Sequence, residues 1–251
     1  MIISGFSTSP EEFSYRKGEL LLEFSKAIRE SNCEVALFPE TAITGFYPDR
    51  EELYFERGSA DSPFMKFSQL AKQTETTVVA GIAEARRGSL FNSALVFELD
   101  GTCSTTYDKR HPFDLAGEGA VITPGVQDPV FRVGSLIFSL RICFDLRFPE
   151  DFHHRNERPD AVIVLANWPS SRRDHWETLL KARAIEGELN IIGINRSGTD
   201  DSGQNFDGSG LAFNPLGIQY ENLSSGKEGE FIWDVTPRNE FKTVGRTGVS
   251  K

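Results

Sequence analysis

Apolar residues recur every three or four positions in three segments of the chain, which is the spacing of an amphipathic helix. The first segment covers residues 10–30, and its Ser-Pro start suits a helix N-terminus. The second covers Pro63–Thr74 and the third covers residues 172–188. We therefore expect three helices, each with one face turned towards a core.

Short, continuous apolar runs lie between these segments, and they are typical of strands covered on both faces. They are Val35–Phe38, 77–82, 94–99, Leu136–Ile142, 161–165, 190–194, 211–214 and 231–235. Strands that alternate with helices predict the α/β class. No Pro/Ser-rich linker and no fixed-period repeat interrupts the chain, so we predict one domain over residues 1–251.

Composition narrows the possible functions. With 39% hydrophobic and 25% charged residues the chain reads as an ordinary globular protein, and its 20 Phe predict an aromatic core. The net charge of −10 argues against nucleic-acid binding. For the same reason, an anionic substrate would need a local arginine. Because the first residues pass directly into polar sequence and no apolar run is long enough to span a membrane, we expect no signal peptide and a cytoplasmic protein.

Cysteine and histidine placement gives no sign of a metal site. The three cysteines, at positions 33, 103 and 143, cannot all pair and lack metal-ligand spacing, which fits a reducing compartment. The four histidines are His111, His153, His154 and His175. None of them completes a zinc pattern, so we predict no metal and no cofactor.

Cys143 directly follows the apolar run Leu136–Ile142 and precedes a charged segment that contains Pro149. A thiol at a strand end is held rigidly, and a helix beginning at Pro149 would turn backbone N–H groups towards it. Such a setting favours a thiolate nucleophile. A buried structural cysteine is the alternative at this point.

Two further charged residues stand at predicted element ends. Glu40 follows the run Val35–Phe38, and Lys109 follows the turn at residues 100–101. Taken singly, each could be a solvated surface residue. Together with Cys143 they supply a base, a fixed positive charge and a nucleophile, which are the roles that thiol attack on an amide requires.

Three motifs in order resemble the nitrilase (carbon–nitrogen hydrolase) superfamily. They are Phe-Pro-Glu at 38–40, Tyr-Asp-Lys-Arg-His at 107–111 and Cys-Phe-Asp-Leu-Arg-Phe-Pro-Glu at 143–150. Segments 166–169, 182–186 and 195–196 are also similar to that family. The resemblance implies a four-layer α-β-β-α sandwich of two mixed sheets. It also implies a Glu40–Lys109–Cys143 triad, with Glu118 bordering it.

Within the superfamily, residues 109–118 and 167–176 look most like the ω-amidase branch. That likeness implies hydrolysis of the terminal amide of 2-oxoglutaramate or 2-oxosuccinamate through a thioester. Pro112 departs from the branch, where Leu is usual. Other small carboxamides, N-carbamoyl compounds and a deaminated peptide amide therefore remain alternatives. A non-catalytic binding protein and a papain-like Cys–His enzyme are others, although neither fits a complete triad or a cysteine that follows a strand.

The substrate-binding residues are the least defined part of the prediction. Our candidates are Phe144, whose N–H would face an oxyanion, Trp168 and Arg172, with Arg147 as the second choice for anchoring a carboxylate. Arg147 could instead hold Asp145 in place. The resemblance also implies a homodimer that involves the helix at 172–188, so we expect a small-molecule amide and a second copy of the chain as partners.

Overall fold

A computed structural model describes residues 1–153, 157–224 and 226–241. It contains three α-helices: α1 (Pro10–Ser31), α2 (Pro63–Thr74) and α3 (Arg173–Gly187). All three confirm predicted helices. Each ends at a residue in the left-handed conformation, which is a common helix stop. No helix among the described residues is long and apolar enough to cross a membrane. His154 lies outside the described residues.

Fourteen strands lie within the described part of the chain, and every predicted strand overlaps one of them. They are β1 (Ile2–Phe6), β2 (Val35–Phe38), β3 (Phe55–Glu56), β4 (Thr77–Arg86), β5 (Ser89–Phe97), β6 (Cys103–Asp108), β7 (Val130–Val133), β8 (Leu136–Ile142), β9 (Ala161–Ala166), β10 (Asn190–Asn195), β11 (Ser197–Thr199), β12 (Asn205–Asp207), β13 (Gly210–Phe213) and β14 (Glu230–Asp234).

The strands form two large mixed sheets. The first has the order β14-β1-β2-β4-β5-β6, with β3 beside β4, and the second has the order β13-β10-β9-β8-β7. Strands β1, β2 and β4 run parallel, as do β8, β9 and β10, while the outer strands are antiparallel. A separate two-stranded ribbon joins β11 and β12.

Three buried clusters define the layers. One lies between the two sheets and contains residues such as Leu37, Phe138 and Ile163. A second, rich in Phe, joins the first sheet to α1 and α2, and a third packs Trp176 and Leu180 of α3 on the second sheet. The layer order is therefore helix, sheet, sheet, helix, as predicted.

The prediction missed parts of both sheets. Strand β5 begins at Ser89 rather than residue 94, because Arg87 and Gly88 both adopt positive φ and form a two-residue hairpin with β4. It ends at Phe97 because the turn at Asp100-Gly101 pairs Glu98 with Thr102. Strand β6 is polar and β7 is a short strand with an exposed arginine, so neither shows a continuous apolar run.

Candidate active site

Glu40 follows β2 by two residues and is only 1% exposed. Its Oε1 accepts hydrogen bonds from Lys109 Nζ at 2.9 Å and from Asn92 Nδ2 at 2.8 Å. Its Oε2 accepts from the backbone N–H of Asn167 at 2.8 Å and from Asn167 Nδ2 at 3.1 Å. Burial raises the pKa of Glu40, but Lys109 and these amide donors outweigh it, so the pKa lies below its ordinary value.

Gly81 of β4 allows the Glu40 segment to approach the sheet. A Cβ at Gly81 would lie 2.4 Å from Glu40 Cα and 2.5 Å from Pro39 O. The segment around Glu40 and strand β4 are also joined by hydrogen bonds from Ala42 N to Gly81 O and from Gly81 N to Pro39 O. A side chain at Gly81 would therefore displace the backbone that carries Glu40.

Lys109 directly follows β6, and its ammonium lies between two carboxylates. Nζ donates to Glu40 Oε1 at 2.9 Å and to Glu118 Oε2 at 2.8 Å. The side chain is 1% exposed, and the Phe46 ring lies 5.1 Å from Nζ. Burial alone would lower the pKa of Lys109, but Glu40 and Glu118 raise it above its usual value. Lys109 is therefore a fixed cation.

Glu118 is fully buried and begins a short 3-10 helix, Glu118–Ala120. Besides Lys109, its carboxylate accepts from Phe113 N at 2.6 Å and from Asn92 Nδ2 at 2.9 Å. These bonds link the loop after Lys109 to the same charged cluster. Glu118 is thus the second carboxylate that holds the ammonium of Lys109.

Cys143 directly follows β8 and begins a 3-10 helix, Cys143–Arg147. Its φ of 45° is unusual for a residue other than glycine and costs about 1–2 kcal/mol. Its Sγ lies 3.6 Å from Asn167 O. Burial and the nearby Glu40 raise the pKa of Cys143 well above normal, against the opposing effect of Lys109. The resting group is therefore a thiol beside a carboxylate base.

The turn at Cys143 differs from the prediction in one respect. The helix that faces the thiol is Cys143–Arg147 itself, whereas Pro149 begins a separate 3-10 helix, Pro149–Phe152. The reason is that Phe148 between them is extended, with φ of −106° and ψ of 95°, as expected before a proline.

The predicted substrate residues form a series of contacts that passes through Phe113. The Phe144 ring is half-buried and lies 5.0 Å from the Phe113 ring. Trp168 is only 4% exposed, and its Nε1 donates to Arg172 O at 2.8 Å. Arg147 lies over the Trp168 ring at 4.9 Å. Trp168 therefore supports the two arginines more than it lines an open pocket.

Arg147 does not hold Asp145, contrary to one expectation. Its guanidinium lies 3.3 Å from His175 Nδ1, while Arg172 lies 6.0 Å from the centre of the Phe113 ring. Neither arginine forms an ion pair with any carboxylate of the described residues. Burial and the neighbouring Arg172 lower the pKa of Arg147, with Cys143 acting in the opposite direction. The half-buried Arg147 and the exposed Arg172 thus have no carboxylate partner among the described residues.

Sequence reasoning missed three residues of this site. Asn92 bonds both carboxylates, Asn167 bonds Glu40 and contacts Cys143, and Tyr54 lies close to the charged groups. Burial and the Glu118 carboxylate raise the pKa of Tyr54 above its usual value. Residue 167 lay in a motif similar to the family, but neither Asn92 nor Tyr54 had a motif or a charge to single it out.

Among the described residues, one cluster has the side chains of a metal site: His111, Asp145 and Asp151, whose ligand atoms lie within 4.8 Å of one another. Protein donors already use these oxygens. Asp145 accepts from Tyr107 OH, Ile142 N and His111 N, and Asp151 contacts the His111 ring. Because these bonds join the Lys109 and Cys143 segments, the cluster fits a structural clamp. The prediction of no metal and no cofactor stays a prediction.

Comparison with known proteins identifies the family. The carbon–nitrogen hydrolase family profile matches residues 17–238. An omega-amidase, YafV, of Yersinia enterocolitica is 32% identical over 185 residues, which cover 73% of this chain and 70% of that protein. A 2-oxoglutaramate amidase of Bacillus subtilis (strain 168) is 31% identical over 206 residues, covering 80% and 76% respectively.

A solved structure agrees with the fold. It is a mutant of the amidase from Nesterenkonia sp. AN1 that shows Michael addition of acrylamide at its active-site cysteine. It superposes with a TM-score of 0.81 at 21% identity, covering 94% of this chain and 93% of that chain. The predictions of the superfamily, of the four-layer fold and of a hydrolase acting on amides are confirmed. The chain belongs to the carbon–nitrogen hydrolase family.

Proposed function

We propose that this protein hydrolyses the terminal carboxamide of a small ω-amide of a dicarboxylic 2-oxo acid, such as 2-oxoglutaramate or 2-oxosuccinamate. The products are the free acid and ammonia. The observation that carries this proposal is the buried cluster of Glu40, Lys109 and Glu118 beside the Cys143 thiol. The names of the omega-amidase and 2-oxoglutaramate amidase relatives support the substrate class.

The proposed reaction begins with proton transfer from Cys143 to Glu40 as sulfur attacks the amide carbon. Because the pKa of the thiol is raised and that of Glu40 is lowered, transfer before substrate arrives is unfavourable. The thiol therefore stays neutral at rest, and the proton moves as the new C–S bond forms. This protects the nucleophile from unproductive reactions until an electrophile is bound.

Attack places a negative charge on the former carbonyl oxygen. Lys109 is a fixed cation beside Glu40, and Phe144 supplies an N–H from the first turn of its helix, where such groups lack partners within the helix. We assign both as oxyanion donors, each contributing about 3 kcal/mol. The C–N bond then breaks, and Glu40 returns its proton to the departing nitrogen, which leaves as ammonia.

The remaining thioester is hydrolysed by water. Glu40 takes a proton from the water as its oxygen attacks the acyl carbon, and the C–S bond then breaks with return of the proton to sulfur. Glu118 holds Lys109 in place during both halves of the cycle, at 2.8 Å from its ammonium. The Michael adduct at the active-site cysteine of the Nesterenkonia amidase supports a nucleophilic cysteine in this fold.

The two arginines support an anionic substrate. In a protein with a net charge of −10, Arg147 and Arg172 are cations near the thiol with no carboxylate partner among the described residues. We propose that they receive the carboxylate of the substrate while its amide lies against Cys143. Arg172 is our first choice for the anchor, and Arg147 shares the role through its position over Trp168.

The proposal also includes a single domain, a cytoplasmic location and a homodimer. Three free cysteines support the location. Exposed apolar side chains at the C-terminal part of α3 and the adjacent turn, namely Ile185, Leu216 and Ile218, support a self-associating surface. Sedimentation equilibrium tests the assembly, and a monomer at micromolar concentration would reject it.

Ammonia release measured across a panel of compounds tests the substrate. The panel should contain 2-oxoglutaramate, 2-oxosuccinamate, a neutral short amide, an N-carbamoyl amino acid and a nitrile. We expect the two 2-oxo-acid amides to have the highest kcat/KM. A preference for the N-carbamoyl compound or the neutral amide would reject this substrate while keeping the family.

A further inference from the structure

Asn92 contacts three charged residues of the site, two through its side chain and one through its backbone. It lies in β5 and is nearly fully buried. Its Nδ2 donates to Glu40 Oε1 at 2.8 Å and to Glu118 Oε1 at 2.9 Å. Its backbone oxygen accepts from Lys109 N at 2.8 Å. One residue therefore sets the distance between the two carboxylates and the position of the lysine between them.

The orientation of the Asn92 amide shows what it is used for. Both N–H groups of the Asn92 amide donate to carboxylates, while Oδ1 is buried without a hydrogen-bond partner among the described residues. A buried acceptor without a partner is unfavourable. Turning the amide over would be worse, because it would place Oδ1 against two carboxylates. The observed arrangement therefore requires a hydrogen-bond acceptor at both Glu40 and Glu118.

A neutral donor suits this position better than a second cation. Lys109 already lowers the pKa of Glu40, and another positive charge would lower it further and weaken Glu40 as a base. An amide bridges two like charges without neutralising either. The titratable groups around Asn92 are Glu40, Glu118 and Lys109, with Cys143 and Tyr54 beyond them.

We propose that Asn92 is a positioning residue of the reaction: its amide bridges Glu40 and Glu118 and holds both side chains aligned on Lys109. The inference rests on the catalytic roles assigned above to Glu40 and Glu118. It adds a residue that touches neither the substrate nor the sulfur. Its effect reaches the chemistry through the charge and orientation of Glu40.

Two substitutions separate charge from simple loss of contact. Asn92→Asp keeps the shape but replaces the donor with a third carboxylate, which raises the pKa of Glu40 and the pKa of Cys143. Glu40 and the Cys143 thiol then both stay protonated up to a higher pH. The acid limb of the kcat/KM profile should therefore move to higher pH by about one unit, which lowers kcat/KM by up to about 10-fold at pH values on that limb. Asn92→Ser should move it in the same direction by less.

Asn190 offers a matched control. It is also fully buried, and its Nδ2 donates to the backbone oxygens of Asp160 and Thr236 while its Oδ1 accepts from Tyr220 OH. Asn190→Ser should lower the melting temperature as Asn92→Ser does, without moving the pH profile. If Asn92→Ser and Asn190→Ser shift the pH profile by similar amounts, Asn92 is merely structural. The same conclusion follows if Asn92→Asp and Asn92→Ser both keep the wild-type pH profile. If Asn92→Asp does not fold, Asn92→Ser decides.

Alkylation of Cys143 by iodoacetamide, followed against pH by peptide mass spectrometry, keeps the test independent of the substrate. If wild-type protein hydrolyses none of the panel amides but the alkylation profile still moves upward in Asn92→Asp, the proposed substrate fails and the role of Asn92 stands. If amides are hydrolysed and the alkylation and kcat/KM profiles are unchanged, the role of Asn92 is rejected and the proposed function stands.

Discussion

The Tyr107 hydroxyl donates to Asp145 Oδ2 across 2.8 Å and joins the strand that leads to Lys109 to the turn that begins at Cys143. Asp145 also accepts from Ile142 N and His111 N, so one carboxylate is held by both segments. Burial raises the pKa of Asp145, and these donors and Lys109 offset part of that effect. The relative positions of Lys109 and Cys143 thus depend on Asp145.

Asp145→Asn should therefore reduce both stability and activity. The new NH₂ would face an existing donor, leaving at least one buried group unsatisfied at a cost of about 1–3 kcal/mol. Tyr107→Phe removes only one donor and should cost about 1 kcal/mol. Urea unfolding and kcat measure the two effects. Equal, small losses in both variants would show that Asp145 does not act as the clamp.

Gly81→Ala should destabilise the protein and reduce kcat, because its Cβ would overlap the backbone of Glu40 at 2.4 Å. Overpacking of this kind costs about 1–3 kcal/mol. Gly18→Ala is the control, since nothing lies within 4 Å of a Cβ there and the residue is in α1. That variant should gain about 0.5–1 kcal/mol in helix stability with unchanged kcat. Calorimetry measures the stability of both variants, and steady-state kinetics measures their kcat.

Lys109→Arg should retain the charge and lose the activity. A planar guanidinium cannot reproduce the two short bonds of the ammonium to Glu40 and Glu118 while presenting a donor to the oxyanion. We expect kcat to fall by about 100-fold or more, as for removal of one oxyanion donor. Circular dichroism checks that the variant folds. A kcat near that of wild type would remove Lys109 from the catalytic set.

Arg172→Met should raise KM for 2-oxoglutaramate far more than KM for a neutral short amide. Loss of a charged hydrogen bond corresponds to about 2–3 kcal/mol. Arg173→Met is the matched control, because that neighbour is engaged in a 2.6 Å ion pair with Asp207. It should leave both KM values unchanged. Equal loss on charged and neutral amides would reject Arg172 as the carboxylate anchor.

The sequence was most informative where one physical signal dominated. Helices with a single apolar face, such as α2, and fully buried strands, such as β9, follow directly from their periodicity. The positions of Glu40, Lys109 and Cys143 followed from strand ends and from ordered motifs. The structure then brings Glu40 and Lys109 together although they are 69 residues apart.

Features that depend on three-dimensional contacts were not predictable. Asn92 lies in the part of β5 that the apolar run did not mark, since the Arg87-Gly88 turn lacks an Asn-Gly or Asp-Gly signal. The need for a neutral donor there arises only when two carboxylates from distant segments meet. The position of Arg147 over Trp168 likewise depends on how the Cys143 turn packs against the loop after β9.

Trapping of the acyl intermediate tests most directly whether Cys143 is the nucleophile that forms a thioester with the substrate. Protein mixed with 2-oxoglutaramate should be quenched in acid within the first turnover, digested and examined by mass spectrometry. The account predicts an adduct equal to the substrate minus ammonia on the peptide that contains Cys143, and neither adduct nor ammonia release in Cys143→Ala. Cys33→Ala and Cys103→Ala should behave as wild type. Sustained ammonia release by Cys143→Ala, or an adduct on another cysteine that tracks turnover, would contradict the account.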